Sequence, residues 1–361
     1  MKINKKSNNS FFIFLLLMFF SFGLGLNDIY VNNYILFGYD SNVSKISSSE
    51  SLDYNNSPYI SFKPSIKTSF QIFKNRKTKI SFSSKINHYF DVNQKSNNAF
   101  YLNISQPIGN YQLLKFYHAY VNNIYLREFI DQDELISPEL YLGDECYFDL
   151  IKYRLSYESP YFGDKEKLEF SIYNELQYYS PKFTEYDLSI SGMHIKYFTK
   201  RSENRYSFQL GYAIADSLFS HEQNLLTGDF GGNTLRVVDR SYEELSIKFS
   251  YDFPLSNKNI LGFSFSRKQR KYLSEAEYEI DYGGPEGLIK IKDDLHVDRE
   301  HRDIVFNAWY TFKYLNRKNK LSFSYREKDT ISPEIWVENL KSFSKFNLEY
   351  FVYFEKIKFK I

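Results

Sequence analysis

Apolar and polar residues alternate with a period of two along most of the chain. From Leu168, one row reads Leu168, Phe170, Ile172, Leu176 and Tyr178, and the other reads Glu169, Ser171, Tyr173, Glu175 and Gln177. A helix would gather its apolar residues at three and four positions apart, so this spacing predicts a strand with one apolar and one wet face. Tyr206, Phe208, Leu210, Tyr212 and Ile214 repeat the pattern opposite Ser207, Gln209, Gly211, Ala213 and Ala215. So do Leu245 through Phe253 opposite Glu244, Ser246, Lys248, Ser250 and Asp252, and so does the run from Ile304 to Tyr314. Further strands are predicted at 34–43, 59–72, 79–90, 99–104, 113–125, 146–157, 186–197, 261–270 and 346–361. The pattern yields 12 to 14 strands, and no stretch shows the amphipathic helix that a βαβ unit requires.

Short polar turns punctuate these strands at 160–165, 180–183, 200–203, 256–259 and 316–319. Longer polar connections run over 130–145, 219–234 and 273–302, giving the chain one trim side and one ragged side. A soluble sandwich and a membrane barrel both use amphipathic strands. Three features favour the barrel: strands near the length that crosses a bilayer when tilted, aromatic residues at strand ends (Tyr178 with Tyr179, Tyr310 with Phe312 and Tyr314, 350–354), and alternating short and long connections. A sheet in lipid must close, because every unpaired edge group costs several kcal/mol. The expected fold is therefore all-β: a single closed antiparallel transmembrane β-barrel of 12 to 14 strands, with short periplasmic turns and longer extracellular loops. Its inner face would carry Lys152, Arg154, Glu169, Glu175 and Lys248 as lumen-lining residues.

The amino terminus changes the picture of where the chain works. Lys2, Lys5 and Lys6 precede an apolar run from Phe11 to Phe22, followed by Gly23 and Gly25. That order is the one of a secretory signal peptide, and about 12 apolar residues are too few to span a bilayer. Residues 1–25 are read as the signal peptide and 26–361 as the barrel domain. Without those three lysines the 46 basic and 44 acidic residues come nearly into balance, which gives no case for nucleic-acid binding. One cysteine, Cys146, excludes an internal disulfide.

Candidate chemistry is sparse. The six histidines, His88, His118, His194, His221, His296 and His301, lack helical zinc spacing, so no metal and no other cofactor is expected. His296 and His301 share an acidic segment with Asp293, Asp294, Asp298, Glu300 and Asp303, which a rim hydrolase could use to activate water; a hydrated loop explains the same density. No Gly-x-Ser-x-Gly elbow accompanies the many serines, and Gly228, Gly231 and Gly232 do not make a phosphate loop. Catalytic residues are not assigned. Arg267, Lys268, Arg270 and Lys271 form a basic patch in sequence that alternation divides between two faces.

Taken together, these patterns resemble those of a Gram-negative outer-membrane β-barrel protein. At the carboxyl end, Ile357, Phe359 and Ile361 keep the alternation opposite Lys358 and Lys360, with Ile361 where such proteins commonly carry an aromatic residue. Gly38 to Val43 also resembles the opening strand and turn of barrels associated with surface-polymer or protein export; an Asp/Ser/Asn turn at a strand end reads the same. The resemblance implies a place in the outer membrane among its lipids and lipopolysaccharide, insertion by the barrel assembly machinery, and porin-like passage of small polar solutes or ions. Export or anchoring of a surface polymer with periplasmic partners is the alternative it leaves, and a rim hydrolase or lipid-modifying enzyme the third.

Overall fold

The computed structural model describes residues 28–43, 45, 56–73, 76–109, 111–128, 145–160, 165–180, 186–201, 203–218, 240–256, 259–274, 277–281, 288–292, 296–333, 338, 342–354 and 357–360. The amino-terminal segment read as a signal peptide and the 219–234 connection lie outside them.

Fourteen antiparallel staves form one closed wall. They are β1 (Asp28–Asp40), β2 (Ser57–Phe73), β3 (Arg76–Tyr89), β4 (Asn97–Pro107), β5 (Leu113–Glu128), β6 (Glu145–Pro160), β7 (Glu166–Tyr179), β8 (Leu188–Arg201), β9 (Asn204–Ser217), β10 (Tyr242–Ser256) and β11 (Asn259–Tyr272), followed by β14 (Glu300–Tyr314), β15 (Arg317–Ile331) and β16 (Phe343–Tyr353). Each stave pairs with its sequence neighbour, β11 passes to β14, and β16 pairs with β1 to close the wall. Beyond β16, β17 (Ile357–Lys360) pairs with the start of β1 from Asp28 to Val31. The connection between β11 and β14 carries a separate two-stranded hairpin, β12 (Glu277–Asp281) and β13 (Leu288–Lys292), which the sequence reading took for loop.

Two rims result. Tight connections join β2 to β3, β8 to β9, β10 to β11 and β14 to β15, and both β1 and β17 have their outer ends on that same rim. The opposite rim holds the long connections. β7 reaches this rim at Tyr179 and β8 starts back from Leu188, so these two strands meet at the long-loop rim; the expected short turn at 180–183 lies, beyond Ser180, outside the described residues. Counting turn residues could not reveal this; counting staves does.

Curvature separates the faces. On a concave wall, side chains two strands apart converge, whereas on the convex side they diverge. Tyr59 on β2 donates to Glu349 on β16 at 2.6 Å across β1, Lys115 on β5 reaches Glu169 on β7 at 2.7 Å across β6, and Trp309 on β14 donates to Asp252 on β10 at 3.2 Å across β11. These residues therefore face the lumen. The opposite row, including Leu155, Phe170, Ile195, Leu210, Ile247, Phe263, Phe323 and Leu348, is exposed on the outside. From Tyr206 to Ile214 this row climbs about 20 Å along the axis, at roughly 3.3 Å per residue and a tilt near 40°. Charged residues of the outer face lie toward the strand ends, such as Asp216, Glu243, Lys271, Arg302 and Asp329 at the long-loop rim. Tyr178 is outward and Tyr179 inward, as are Tyr350 and Phe351 respectively, so three of the aromatic residues expected in the outer girdle, Tyr179, Phe351 and Tyr353, line the interior instead.

Inside, three glycines are each covered by the ring of their register partner: Gly38 by Tyr59, Gly192 by Tyr173 and Gly262 by Trp309. A ring lying flat over a glycine fills space that a Cβ would take, and shields the strand backbone. A Cβ on Gly262 would stand 2.2 Å from the Trp309 ring. Gly262→Val is expected to lower stability by about 1–3 kcal/mol through displacement of that ring and loss of its bond to Asp252. Urea titration of the folded barrel against wild type checks this, and an unchanged midpoint would contradict the packing.

Candidate functional site

The site is the lumen wall, and its chemistry follows from which side chains alternation points inward. Lys152 ion-pairs with Glu175 at 2.8 Å and sits over the Tyr173 ring, Arg154 lies over Tyr117, and Glu169 accepts from Lys115. Lys248 stands on the same face, with Gln209 between it and Lys196 in register. The five residues singled out from sequence thus share one face, and four of them take part in ion pairs or ring contacts. Serine and glycine occupy much of the wall between, including Ser61, Ser156, Ser171, Gly211 and Ser264. Ser171 donates to Ser156 at 2.8 Å, so hydroxyls whose backbones lie on adjacent strands satisfy one another.

At the long-loop rim the interior becomes crowded, cationic and aromatic. The Arg240 guanidinium lies 5.0 Å over the Tyr179 ring and donates to the Tyr186 carbonyl at 2.8 Å. Arg270 lies 3.7 Å over Tyr242, and Arg299 lies 3.8 Å over Tyr272. Planar guanidinium ions stack on aromatic faces because the ring quadrupole attracts them and their edges stay available to acceptors. Glu244 is the carboxylate between them, accepting from Arg270 at 2.9 Å and Lys268 at 2.8 Å. Arg267 and Lys271, from the same run in sequence, belong to the outer face.

His296 and His301 are both buried here against Tyr272, and His301 Nδ1 lies 2.9 Å from the Thr330 hydroxyl. The pair expected in a hydrated loop is instead packed in the wall, because the root of the β11–β14 connection turns inward. The amide of Tyr272 donates to the Arg299 carbonyl at 3.0 Å, fixing that root. His194 faces the lumen beside Tyr173, while His118 stacks on Tyr153 outside. Among the described residues no group of three or more His, Cys, Asp or Glu is placed to hold a metal ion. Cys146 is buried with Phe148 and Tyr179.

A second cationic group lies on the same rim, on the side of β16 and β1. Lys345 pairs with Asp40 at 3.0 Å, and Lys95 donates to the Val43 carbonyl at 2.8 Å. Burial and then the charge of Lys345 push Lys95 down to about 8. Lys45 is pushed well below the ordinary lysine range by burial and by Lys95, Lys345, Arg326 and Lys328. Asp187 accepts from the Tyr179 amide, yet burial raises its carboxyl to about 6 despite that bond and Arg240. Among the described residues of the rim, positive charge exceeds what the nearby carboxylates neutralise. The segment from Gly38 to Val43 contributes to this corner: Asp40 accepts from the Asn42 amide at 3.1 Å, an Asx turn closing the strand.

Sequence reasoning missed Arg240 and Arg299. Both precede a strand by one or two residues, where alternation carries no information. Lys115, Lys196 and Lys95 were equally unmarked, although strand parity alone would have placed the first two inside.

No protein-family model and no curated protein sequence matches the chain. Among solved structures, the chain is similar to the translocator domain of the autotransporter NalP from Neisseria meningitidis at 11% identity, covering 96% of this chain and 95% of that one, with a TM-score of 0.33. It is similar to the outer-membrane protein OmpT of Vibrio cholerae at 8% identity, covering 90% and 97%, with a TM-score of 0.41. It is also similar to the outer-membrane channel DcaP of Acinetobacter baumannii at 5% identity, covering 90% and 97%, with a TM-score of 0.47.

Proposed function

We propose that this barrel spans the outer membrane of a Gram-negative-type bacterium and passes small polar solutes, with a preference for anions. The band of exposed large apolar side chains around the whole circumference supports the membrane assignment, since a water-soluble monomer rarely exposes apolar patches beyond a few hundred Å². The start of β1 and the end of β17 share the rim of short turns, which on this reading faces the periplasm. Lys271 and Arg302, outward at the opposite rim, would meet lipopolysaccharide phosphates.

The observation that carries the anion preference is the charge of the inner face. Along the described strands, Lys and Arg on that face clearly outnumber Asp and Glu, and the long-loop rim adds Arg240, Arg299, Lys45 and Lys95. A ring of fixed charge lowers the barrier for the opposite ion and raises it for its own sign. In a planar bilayer under a potassium chloride gradient, the reversal potential is expected on the chloride side. A potassium-selective pore, or an inserted barrel without conductance at any voltage, overturns the reading.

This preference is expected to depend on pH in a set direction. Asp187, with its carboxyl near 6, gains negative charge as pH rises through that value, and Lys95 loses positive charge as pH rises through about 8. Both changes subtract from the positive rim, so chloride selectivity should fall from pH 5 to pH 9 and recover on return. The Lys95→Met variant should lack the upper step. Selectivity that rises with pH would contradict the assigned rim charges.

A further inference from the structure

We propose that the lumen wall holds a binding pocket for a phosphate-bearing small solute at the short-turn rim, formed by Lys67 and Lys79 with the hydroxyl and amide groups around them. The pocket is a cavity of about 530 Å³ on β1 to β4, lined by Tyr30, Lys67, Ser69, Lys79, Ser81, Asn103 and Ser105 among others. It lies at the opposite end of the lumen from the arginines described above, and it goes beyond the anion preference of the channel by assigning a place and a ligand class.

Register explains the cluster. Lys67 stands opposite Ser81, and Lys79 stands opposite Ser69 on one side and Ser105 on the other, so the two ammonium groups occupy diagonal positions on neighbouring strands. Diagonal partners are about 7–8 Å apart, within reach of one bridging anion for side chains of this length. Two like charges held there repel unless a counter-charge intervenes. No carboxylate lines the cavity. At the closing seam, Lys358 is opposite Tyr30 in register, and Asp28 is opposite Lys360.

The ligand class follows from the donors. Two lysines supply point charges suited to a dianion, and serine hydroxyls with the Asn103 amide add uncharged donors in several directions. A tetrahedral phosphate monoester offers more acceptor oxygens to such a set than a carboxylate does. The volume lies in the range of small-ligand sites and exceeds that of phosphate alone, leaving room for a compact polar body attached to it.

The test is binding of inorganic phosphate and of glycerol 3-phosphate to the full folded barrel in a phosphate-free non-ionic detergent, followed by calorimetry and by phosphorus NMR line width. Wild type is expected to show saturable binding of both, with chloride a weak competitor. Lys67→Met/Lys79→Met keeps the apolar stems and should weaken binding by at least about tenfold, while Lys200→Met on β8 should leave it unchanged. The heat-shifted gel mobility of each variant reports that the barrel has folded. Equal binding in wild type and the double variant overturns the proposal, as does binding seen only with phosphatidylglycerol in mixed micelles, which would make the ligand a lipid headgroup. Because the readout does not need conduction, a barrel that binds phosphate yet never conducts would sink the channel and keep the pocket, and the converse result would do the reverse.

Discussion

Leu210→Arg should destabilise the folded barrel in lipid by about 2–4 kcal/mol, the cost found for a basic residue facing the middle of a bilayer. Leu210 is outward and exposed, with Ile195 and Ile247 beside it in register on β8 and β10. An arginine there has no acceptor at hand, and its stem must carry the guanidinium past about half the apolar band to reach either rim. One residue earlier the same strand tells the opposite story. Gln209 points into the lumen between Lys196 and Lys248, so Gln209→Glu places a charge where two cations await it, and its effect on stability should stay within about 0.5 kcal/mol. Urea unfolding in phosphatidylcholine vesicles, followed by tryptophan fluorescence, compares the two directly. If Leu210→Arg costs no more than Gln209→Glu, the outer row does not face hydrocarbon.

The second large effect is on selectivity. Lys196 and Lys248 flank Gln209 on the wet face, and Lys248 is exposed to the lumen. Changing both to Glu alters the local wall by four charges without touching Arg270, Glu244 or the ring-covered glycines. A unit charge about 7 Å from a passing ion contributes on the order of 0.6 kcal/mol in water, before salt screening reduces it. The chloride-to-potassium permeability ratio should therefore fall by at least about tenfold at low salt, and the change should shrink in molar salt. Reversal potentials at two ionic strengths measure this. A ratio that does not move would mean that ions do not pass this part of the wall.

Much of the wall was legible in the sequence. Period-two order at 168–178, 206–214 and 245–253 placed strands and distinguished their two faces correctly, since successive side chains of a strand must point to opposite sides. The parity of Lys152, Arg154, Glu169, Glu175 and Lys248 followed from the same rule. Where strands end, the rule stops. Tyr179 read as part of an outer girdle but lies inside beneath Arg240, because adjacent aromatic residues alternate like any others. His296 and His301 read as loop residues but are packed against Tyr272.

What the chain determined by itself was therefore local: the strands, their two faces, and the rhythm of connections, all set by neighbours one or two residues apart. Closure decided the rest. Joining β16 to β1 set the staves at fourteen, curved the wall so that residues two strands apart met, and brought Arg240, Arg270 and Arg299 onto tyrosines at one rim and Lys67 and Lys79 into one cavity at the other. Such meetings depend on register and curvature, which are properties of the whole sheet, and no window of sequence contains them.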